Sequence, residues 1–207
     1  SDVAIFYRAN AQSRIIEERL AGVSVPYRVV GGTRFYDRRE VKDALAYLRA
    51  VVNPTDEVSL KRVLNVPKRG IGDSSVARLD QYANSNGVPF NEALNNWPEV
   101  GISGPAKKGL ANFTELLRQL SNRLSEGPAE LLQLALERSG YIEELRDERS
   151  IEAEGRLENL AELIGSAEQY ETCEEFLEQV SLVSPTDELD DQSEVTLMTL
   201  HTAKGLE

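Results

Sequence analysis

The positions of the strands constrain the fold of this chain more than any other feature of its sequence. Residues 3–7 are predicted to form a short buried strand and residues 27–30 a second strand, and residues 11–20 between them carry apolar side chains at helical spacing. A strand, a helix and a strand within about thirty residues form a βαβ unit, which requires a parallel sheet. The only other good strand candidate, residues 195–200, lies at the far end of the chain.

The long segment between the second and third strands is predicted to be helical. Asn53-Pro54 and Pro67 are expected to end the first two of its helices. Apolar residues recur at helical spacing in six stretches, at residues 41–52, 60–64, 110–124, 131–136, 157–164 and 176–180. The predicted fold class is therefore mainly α, with a helical module inserted between strands of an incomplete α/β sheet. Because that sheet lacks strands, we expect the chain to be an excised piece of a larger enzyme.

Charge is distributed unevenly along the chain. The 207 residues have a net charge of −12, but residues 1–72 contain 13 Lys and Arg against 8 Asp and Glu, whereas residues 73–207 contain 10 against 27. Only the local field matters to a phosphate backbone, so the basic part remains a candidate for nucleic-acid binding. The content of 41% hydrophobic and 28% charged residues is typical of a soluble protein, and no apolar run has the length of a membrane span.

Several kinds of active site are excluded by the residues present. The sequence has no Gly-x-x-x-x-Gly-Lys-Ser/Thr loop for a nucleotide triphosphate, and one His and one Cys cannot form a zinc site. The single cysteine, Cys173, cannot form an internal disulfide and fits a reducing compartment. It is interpreted as a reduced, partly buried residue; the alternative is a surface thiol activated by a helix start. We expect a monomer under reducing conditions.

The stretch VPKRGIGDSSVARL, residues 66–79, predicts a tight turn between two helices. Gly70 and Gly72 form the turn, and Asp73 or Ser74 is expected to cap the helix that follows. Such a turn exposes backbone N–H groups beside a helix start, an arrangement that binds phosphate.

Basic residues accompany this turn. Lys68 and Arg69 directly precede its first glycine, and a looser repeat, GISGPAKKGL at residues 101–110, again places an Ile in a glycine turn before a basic helix start. The alternative is an ordinary helix–helix turn with two solvated basic residues. The repetition favours contacts to the backbone of duplex DNA over that alternative.

Polar side chains also follow the first and last predicted strands. Arg8 and Asn10 come after residues 3–7, and His201 and Lys204 come after residues 195–200. The carboxyl edge of an open α/β sheet is where ligands bind, so the two groups are predicted to share one edge. The alternative role for Arg8 and Asn10 is that of turn and cap residues.

Five segments resemble, in order, motifs of the UvrD/PcrA/Rep helicases, and together they cover the whole chain. They are AIFYRANAQSR (residues 4–14), YRVVGGTRFYDRREVKDALAYLR (27–49), NVPKRGIGD (65–73), RLENL (156–160) and VTLMTLHTAKGLE (195–207). In that family two RecA-like cores, 1A and 2A, translocate 3′ to 5′ on single-stranded DNA with ATP and Mg²⁺, and a mobile helical subdomain, 2B, projects from 2A.

The resemblance implies a division of the chain. Residues 1–36 and 194–207 would be parts of the RecA-like 2A core, the latter as motif V, and residues 37–193 would be the whole 2B subdomain. The connections near residues 36–38 and 190–194 would then be the hinges on which 2B swivels.

The resemblance also implies roles for individual residues. Glu207 would meet the nucleotide in the complete enzyme. The residues implied to contact single-stranded DNA are Arg8, Asn10, His201 and Lys204. The residues implied to grip duplex DNA are Lys68, Arg69, Gly70, Gly72 and Ser74.

The function implied by the resemblance is that of a fragment of an ATP-dependent 3′–5′ DNA helicase acting in repair or replication in the bacterial cytoplasm. By itself the fragment would be a duplex-binding, regulatory module. The Walker motifs and other ATP-binding motifs of the family lie outside it, so we expect no bound cofactor and no ATPase activity. The alternative is a protein-interaction module whose acidic 2B helices bind a repair partner.

Overall fold

The computed structural model describes residues 3–183 and 195–204 of the chain. Within these residues there is one parallel sheet of three strands, β1 (Ala4–Tyr7), β2 (Tyr27–Val30) and β3 (Val195–Thr199). The strand order is β1-β3-β2, so the last strand of the chain lies between the first two. Tyr7 is paired with Thr199 and Val30 with Met198. The predicted parallel sheet is therefore confirmed.

Helix α1 (Ser13–Gly22) connects β1 to β2 and begins two residues later than predicted. Asn10–Gln12 form a 3-10 turn, and the side chain of Gln12 accepts hydrogen bonds from the N–H groups of Arg8 and Ala9, at 3.0 and 3.1 Å. The expectation that the first strand is buried is wrong in part. Phe6 is 50% exposed whereas Tyr7, on the opposite face of the same strand, is 6% exposed, so the described residues cover one face of β1 better than the other.

Nine helices lie between β2 and β3 in the described part of the chain. They are α2 (Arg39–Val52), α3 (Glu57–Val63), α4 (Asp73–Asn86), α5 (Phe90–Asn95), α6 (Pro105–Ser121), α7 (Pro128–Arg138), α8 (Tyr141–Glu148), α9 (Ile151–Ala167) and α10 (Cys173–Val183). The six predicted helical stretches all overlap with members of this set, so the mainly α class is confirmed. A short helix, α11 (Leu200–Lys204), follows β3.

The boundaries of these helices have local causes. α2 ends at Val52 with Asn53 as its C-cap residue, directly before Pro54. α6 and α7 begin on a proline, which lacks the N–H that a first-turn position leaves unpaired. The hydroxyl of Ser150 caps α9 by accepting the N–H of Ala153 at 3.0 Å. The six residues of α5 and the eight of α8 are too short for an apolar period to identify.

Two hydrophobic clusters form in the described residues. The larger one fills the helical part and includes Phe35, Tyr47, Phe113 and Phe176. The smaller one lies against the sheet and is built around Tyr7, Tyr27 and Leu197.

Polar contacts join the two clusters. Arg38 donates to the carbonyl oxygen of the Asn159 side chain and to the hydroxyl of Ser13, both at 2.8 Å. Arg14 donates to a carboxylate oxygen of Glu162 at 2.8 Å. A polar junction between two apolar cores is typical of contacts between separate modules.

Cys173 is the first residue of α10 and is 1% exposed. Burial, followed by the nearby carboxylate of Glu174, raises the pKa of its thiol to about 11. The alternative of a surface thiol with a lowered pKa is therefore wrong.

None of the described helices is both long and apolar enough to cross a bilayer.

We expect the thiol of Cys173 to be unreactive in the native protein at pH 8, because it is buried and remains protonated at that pH. A chromogenic disulfide reagent should release one equivalent of thiolate only after guanidinium is added. Stoichiometric labelling of the folded protein within seconds would contradict this expectation.

Candidate nucleic-acid interface

The first candidate element is the hairpin of residues 66–72, which connects α3 to α4. Ile71, which lies between the two glycines of this hairpin, is 1% exposed and packs into the large hydrophobic cluster. On either side of it, Gly70 and Gly72 lie at the surface. The side chain of Ile71 thus fixes the hairpin to the hydrophobic core, while the two glycines expose their backbone to solvent.

The two glycines serve different purposes. Gly70 has φ = +75°, a conformation that favours glycine, and a Cβ at this position would lie 2.9 Å from the Cβ of Pro105. Gly72 has φ = −92° and ψ = 175°, which any residue can adopt, and a Cβ there would meet no atom within 4 Å. The fold therefore requires glycine at position 70, whereas at position 72 it leaves open space in front of the hairpin.

The start of α4 presents unpaired donors. Gly72 is the N-cap residue, and its carbonyl accepts the N–H groups of Ser75 and Val76. No side chain caps this helix, and the N–H groups of Asp73 and Ser74 form no hydrogen bond within the described residues. The prediction that Asp73 or Ser74 caps the helix is wrong, because the helix already begins at Asp73. The free first-turn N–H groups and the helix dipole favour an anion at this point.

Lys68 and Arg69 point in different directions. The side chain of Lys68 is exposed, as predicted for a residue that meets a phosphate. The guanidinium group of Arg69 instead faces the protein, where it donates to the carbonyl of Val63 at 2.9 Å and to the hydroxyl of Tyr47. This geometry corrects the predicted placement of Arg69, because its charged group is already used inside the fold.

A second hairpin, residues 101–104, precedes α6 and stands beside the first. Ile102 is buried, and Gly101 and Gly104 have φ values of +74° and +69°. Arg78 of α4 donates to the carbonyl of Gly101 at 2.9 Å. The repeated Gly-Ile pattern of the sequence therefore corresponds to two turns of related design on one side of the helical part.

Close packing of α6 holds the two hairpins together. A Cβ on Gly109 would lie 2.2 Å from the carbonyl oxygen of Arg69, so the helix approaches the first hairpin as closely as backbone atoms permit. Lys107 and Lys108, in the first turn of α6, are exposed. The sequence shows this loop as a repeat of the first turn, but the two lysines were not among the residues predicted to contact duplex DNA. The sequence feature that could have identified them is the Lys-Lys pair directly after the second glycine turn.

The sheet edge brings together the other predicted residues. β1 and β3 are parallel neighbours, so Arg8 and Asn10 after β1 lie at the same edge as His201 and Lys204 after β3, and all four are exposed. Lys204 is the last residue of the short helix α11. The hydroxyl of Thr199 accepts the N–H of Thr202 at 3.1 Å and thereby starts α11. Glu207, the predicted nucleotide contact, is outside the described residues.

Two clefts occupy the surface that leads from Asn10 to Lys68. The first, of about 410 Å³, is lined by Asn10, Arg39 and Arg156 among others, and the second, of about 370 Å³, is lined by Lys68 and the same two arginines. Both are also lined by carboxylates, those of Glu40, Glu144, Glu148 and Glu152. Each cleft is lined by three basic and two acidic side chains, so its charge is mixed rather than uniformly positive.

The sequence lacks the glycine-rich loop that cradles phosphates in P-loop enzymes, and Lys204 lies in a short helix after β3 rather than in such a loop. The chemistry that the described residues support is therefore binding of phosphate groups by lysines and backbone N–H groups.

The sequence is similar to known helicases along its whole length. Residues 1–207 match the UvrD-like helicase C-terminal domain. The chain is 43% identical over 221 residues to the ATP-dependent DNA helicase PcrA of Bacillus subtilis (strain 168), and 43% identical over 232 residues to the ATP-dependent DNA helicase UvrD1 of Mycobacterium tuberculosis. It is 44% identical over 216 residues to PcrA of Staphylococcus epidermidis. Each match covers 100% of this chain and 30% of the relative, so the chain spans about 30% of the length of these relatives.

Proposed function

The chain belongs to the UvrD-like helicase C-terminal domain family, and on this premise we propose that it is the duplex-gripping part of an ATP-dependent 3′–5′ DNA helicase. The parent enzyme would use ATP and Mg²⁺ to unwind DNA in repair or replication in the bacterial cytoplasm. Relatives named as ATP-dependent DNA helicases, of which the chain matches 30%, support this proposal. The proposal assigns DNA binding to this chain and assigns ATP hydrolysis to the parts of the parent that the chain does not contain.

We propose the same division of the chain that the resemblance implied. Residues 1–36 and 194–207 are assigned to a 2A core and residues 37–193 to a 2B subdomain. The two separate hydrophobic clusters and the polar contacts between them support this division, and Phe35 and Tyr36, at its first boundary, pack into the larger, helical cluster. The boundary near residue 194 is outside the described residues.

The observation that carries duplex binding is the pair of adjacent hairpins. Lys68, Lys107 and Lys108 place three exposed positive charges around turns that also present backbone and the uncapped start of α4. Such a surface contacts phosphates and not base edges, so it binds duplex DNA without regard to sequence. Gly70 and Gly72 contribute by keeping side chains away from the approaching backbone, and Ser74 contributes its free first-turn N–H.

The exposed group at the sheet edge is proposed as the contact for single-stranded DNA. Arg8, Asn10, His201 and Lys204 lie at the carboxyl ends of two parallel strands, where open α/β sheets bind ligands. The role proposed for Glu207 at the nucleotide of the parent rests on the family resemblance alone.

A second candidate function is supported by the charge of the chain. Residues 73–207 contain 10 Lys and Arg against 27 Asp and Glu, and Ile151 and Leu182 are 84% and 73% exposed. An acidic surface with exposed apolar residues suits a protein partner, such as another repair protein. Salt separates the two functions, because binding through phosphates weakens steeply with added salt and binding through apolar surface does not.

The change Gly72→Val tests the duplex grip. A valine is compatible with the extended backbone at this position, and its Cβ meets no atom within 4 Å and projects into the open space in front of the hairpin. We expect duplex affinity to fall about tenfold, equivalent to the loss of one phosphate contact by an N–H group. Fluorescence anisotropy with a labelled duplex of random sequence measures this fall.

The matched control is Gly22→Val, at a glycine in α1 where a Cβ also meets no atom within 4 Å. It should bind the duplex like the unchanged protein. Equal affinities for Gly72→Val and Gly22→Val, with both proteins folded by circular dichroism, would reject the hairpin as a DNA contact.

A further inference from the structure

The guanidinium group of Arg69 closes the base of the first hairpin. One terminal nitrogen donates to three backbone carbonyls, those of Val63 at 2.9 Å, Pro67 at 3.2 Å and Leu64 at 3.3 Å. These carbonyls belong to the C-terminal end of α3 and the loop behind it, where helical partners are lacking. A positive charge at this end also matches the helix dipole. The Val63 carbonyl also accepts the N–H of Val66 at 3.1 Å, so Arg69 is a second donor there. Within the described residues, the carbonyls of Leu64 and Pro67 receive no backbone N–H, and Arg69 supplies the hydrogen bond that each of them lacks.

Tyr47 of α2 holds Arg69 from the other side. The other terminal nitrogen of Arg69 donates to the Tyr47 hydroxyl, which in turn donates to the carbonyl of Val66 at 2.5 Å. Burial raises the pKa of Tyr47, although the charge of Arg69 opposes this effect, so the hydroxyl retains the proton that it donates. The guanidinium carbon also lies 5.4 Å from the ring centroid of Phe113 on α6.

Asn65 sets the curvature of the hairpin. Its side-chain oxygen accepts the N–H of Arg69 at 2.7 Å and the N–H of Ile71 at 3.2 Å. Two N–H groups on either side of Gly70 are therefore directed inward. Because the N–H of Ile71 is occupied in this way, the donors left for a phosphate are those of the glycines and of the start of α4.

We propose that Tyr47, Asn65 and Arg69 form an internal clamp that holds the hairpin of residues 66–72 in the shape that binds duplex DNA, so that Arg69 is a positioning residue and not a phosphate contact. This inference rests on the proposed duplex-binding function. It separates two adjacent basic residues by role: Lys68 contributes charge to the DNA, and Arg69 contributes the shape of the turn.

Lysine cannot replace Arg69 in the clamp. The planar guanidinium reaches carbonyls and a hydroxyl on two sides at once, whereas an ammonium group is a single point charge on a flexible stem. Arg69→Lys therefore keeps the net charge but loses the clamp. Tyr47→Phe removes one hydroxyl, changes no charge and lies in a buried position that DNA cannot reach.

The test measures duplex affinity against salt concentration for Arg69→Lys, Tyr47→Phe and Gly72→Val, with Arg118→Lys and Tyr170→Phe as matched controls away from the hairpins. We expect both clamp variants to bind about tenfold more weakly, because the binding shape is less populated, with an unchanged salt slope. The controls should bind like the unchanged protein.

In the absence of DNA, hydrogen exchange at the amides of Arg69 and Ile71 should be faster in Tyr47→Phe, while amides in α9 keep their protection.

The outcomes distinguish the clamp from the function on which it rests. If Gly72→Val binds normally, the duplex grip itself is rejected. If Gly72→Val binds weakly but Arg69→Lys and Tyr47→Phe bind normally, the grip stands and the clamp is rejected. If Arg69→Lys binds normally while Arg69→Ala lowers the salt slope by about 0.9, the residue is a phosphate contact and the clamp is also rejected.

Discussion

Replacing Lys68, Lys107 and Lys108 together by alanine is expected to lower the slope of log Kobs for duplex DNA against log[salt] by about 2.7, or about 0.9 for each phosphate contact. All three side chains are exposed around the two hairpins, and close packing of α6 against the first hairpin keeps the hairpins together. Between about 50 and 200 mM salt, the unchanged protein should lose roughly forty-fold more affinity than the variant. Duplexes of different sequence should give the same result, because the contacts are to backbone.

A variant with the same loss of charge elsewhere provides the control. Arg118, Arg123 and Arg138 are exposed near the opposite ends of α6 and α7, and their replacement by alanine also removes three positive charges. We expect this variant to retain the slope of the unchanged protein. A lysine variant whose slope equals that of the arginine variant would exclude the hairpins as the DNA interface, and would favour the protein-interaction function.

Gly109→Ala is expected to destabilise the protein by about 3 kcal/mol, at the upper end of the usual cost of overpacking a core. The added Cβ would lie 2.2 Å from the carbonyl oxygen of Arg69 and 3.0 Å from a side-chain carbon of Ile71. A backbone atom must therefore move, and this strain exceeds the gain of about 1 kcal/mol that alanine brings over glycine in a helix. For a domain of this size we expect the melting temperature to fall by roughly 6–12 °C.

Gly155→Ala and Gly165→Ala are the matched controls. Both glycines lie in α9, and a Cβ at either position meets no atom within 4 Å. Alanine should raise the free energy of unfolding there by up to about 1 kcal/mol, through its better helix propensity. Thermal melts followed by circular dichroism measure all three variants. A Gly109→Ala protein as stable as the controls would show that α6 does not press against the first hairpin.

Local sequence patterns predicted a large part of the secondary structure. Residues 27–30 form a strand with the predicted bounds, and α2 ends directly before Asn53-Pro54, as predicted. These features depend on β-branched side chains and on proline, which restrict the backbone within a few residues of their own position. The apolar spacing of Ile15 and Ile16 also predicted a helix correctly.

Patterns were less informative about which side chains are buried. Ile15 belongs to the predicted apolar stripe of α1, yet it is 54% exposed. Phe6 of β1 is also half-exposed, because a strand pattern does not show which face of the sheet the rest of the fold covers. The order of the strands was also not readable, because the place of β3 between β1 and β2 is decided by pairing across most of the chain.

The sequence alone determined where this chain turns at its glycines, where α2 stops and which residues carry the charge, because glycine, proline and apolar spacing act locally. It placed the end of α3 less well, since this helix ends at Val63 and not near Pro67. It did not distinguish Lys68 from Arg69, two adjacent basic residues before the same glycine. Only the tertiary structure separated them, by bringing Tyr47 of α2 and Phe113 of α6 to the base of the hairpin, where the guanidinium group meets them and the lysine does not. Segments distant in sequence formed that environment through packing, so the role of each side chain depends on residues that the local pattern does not contain.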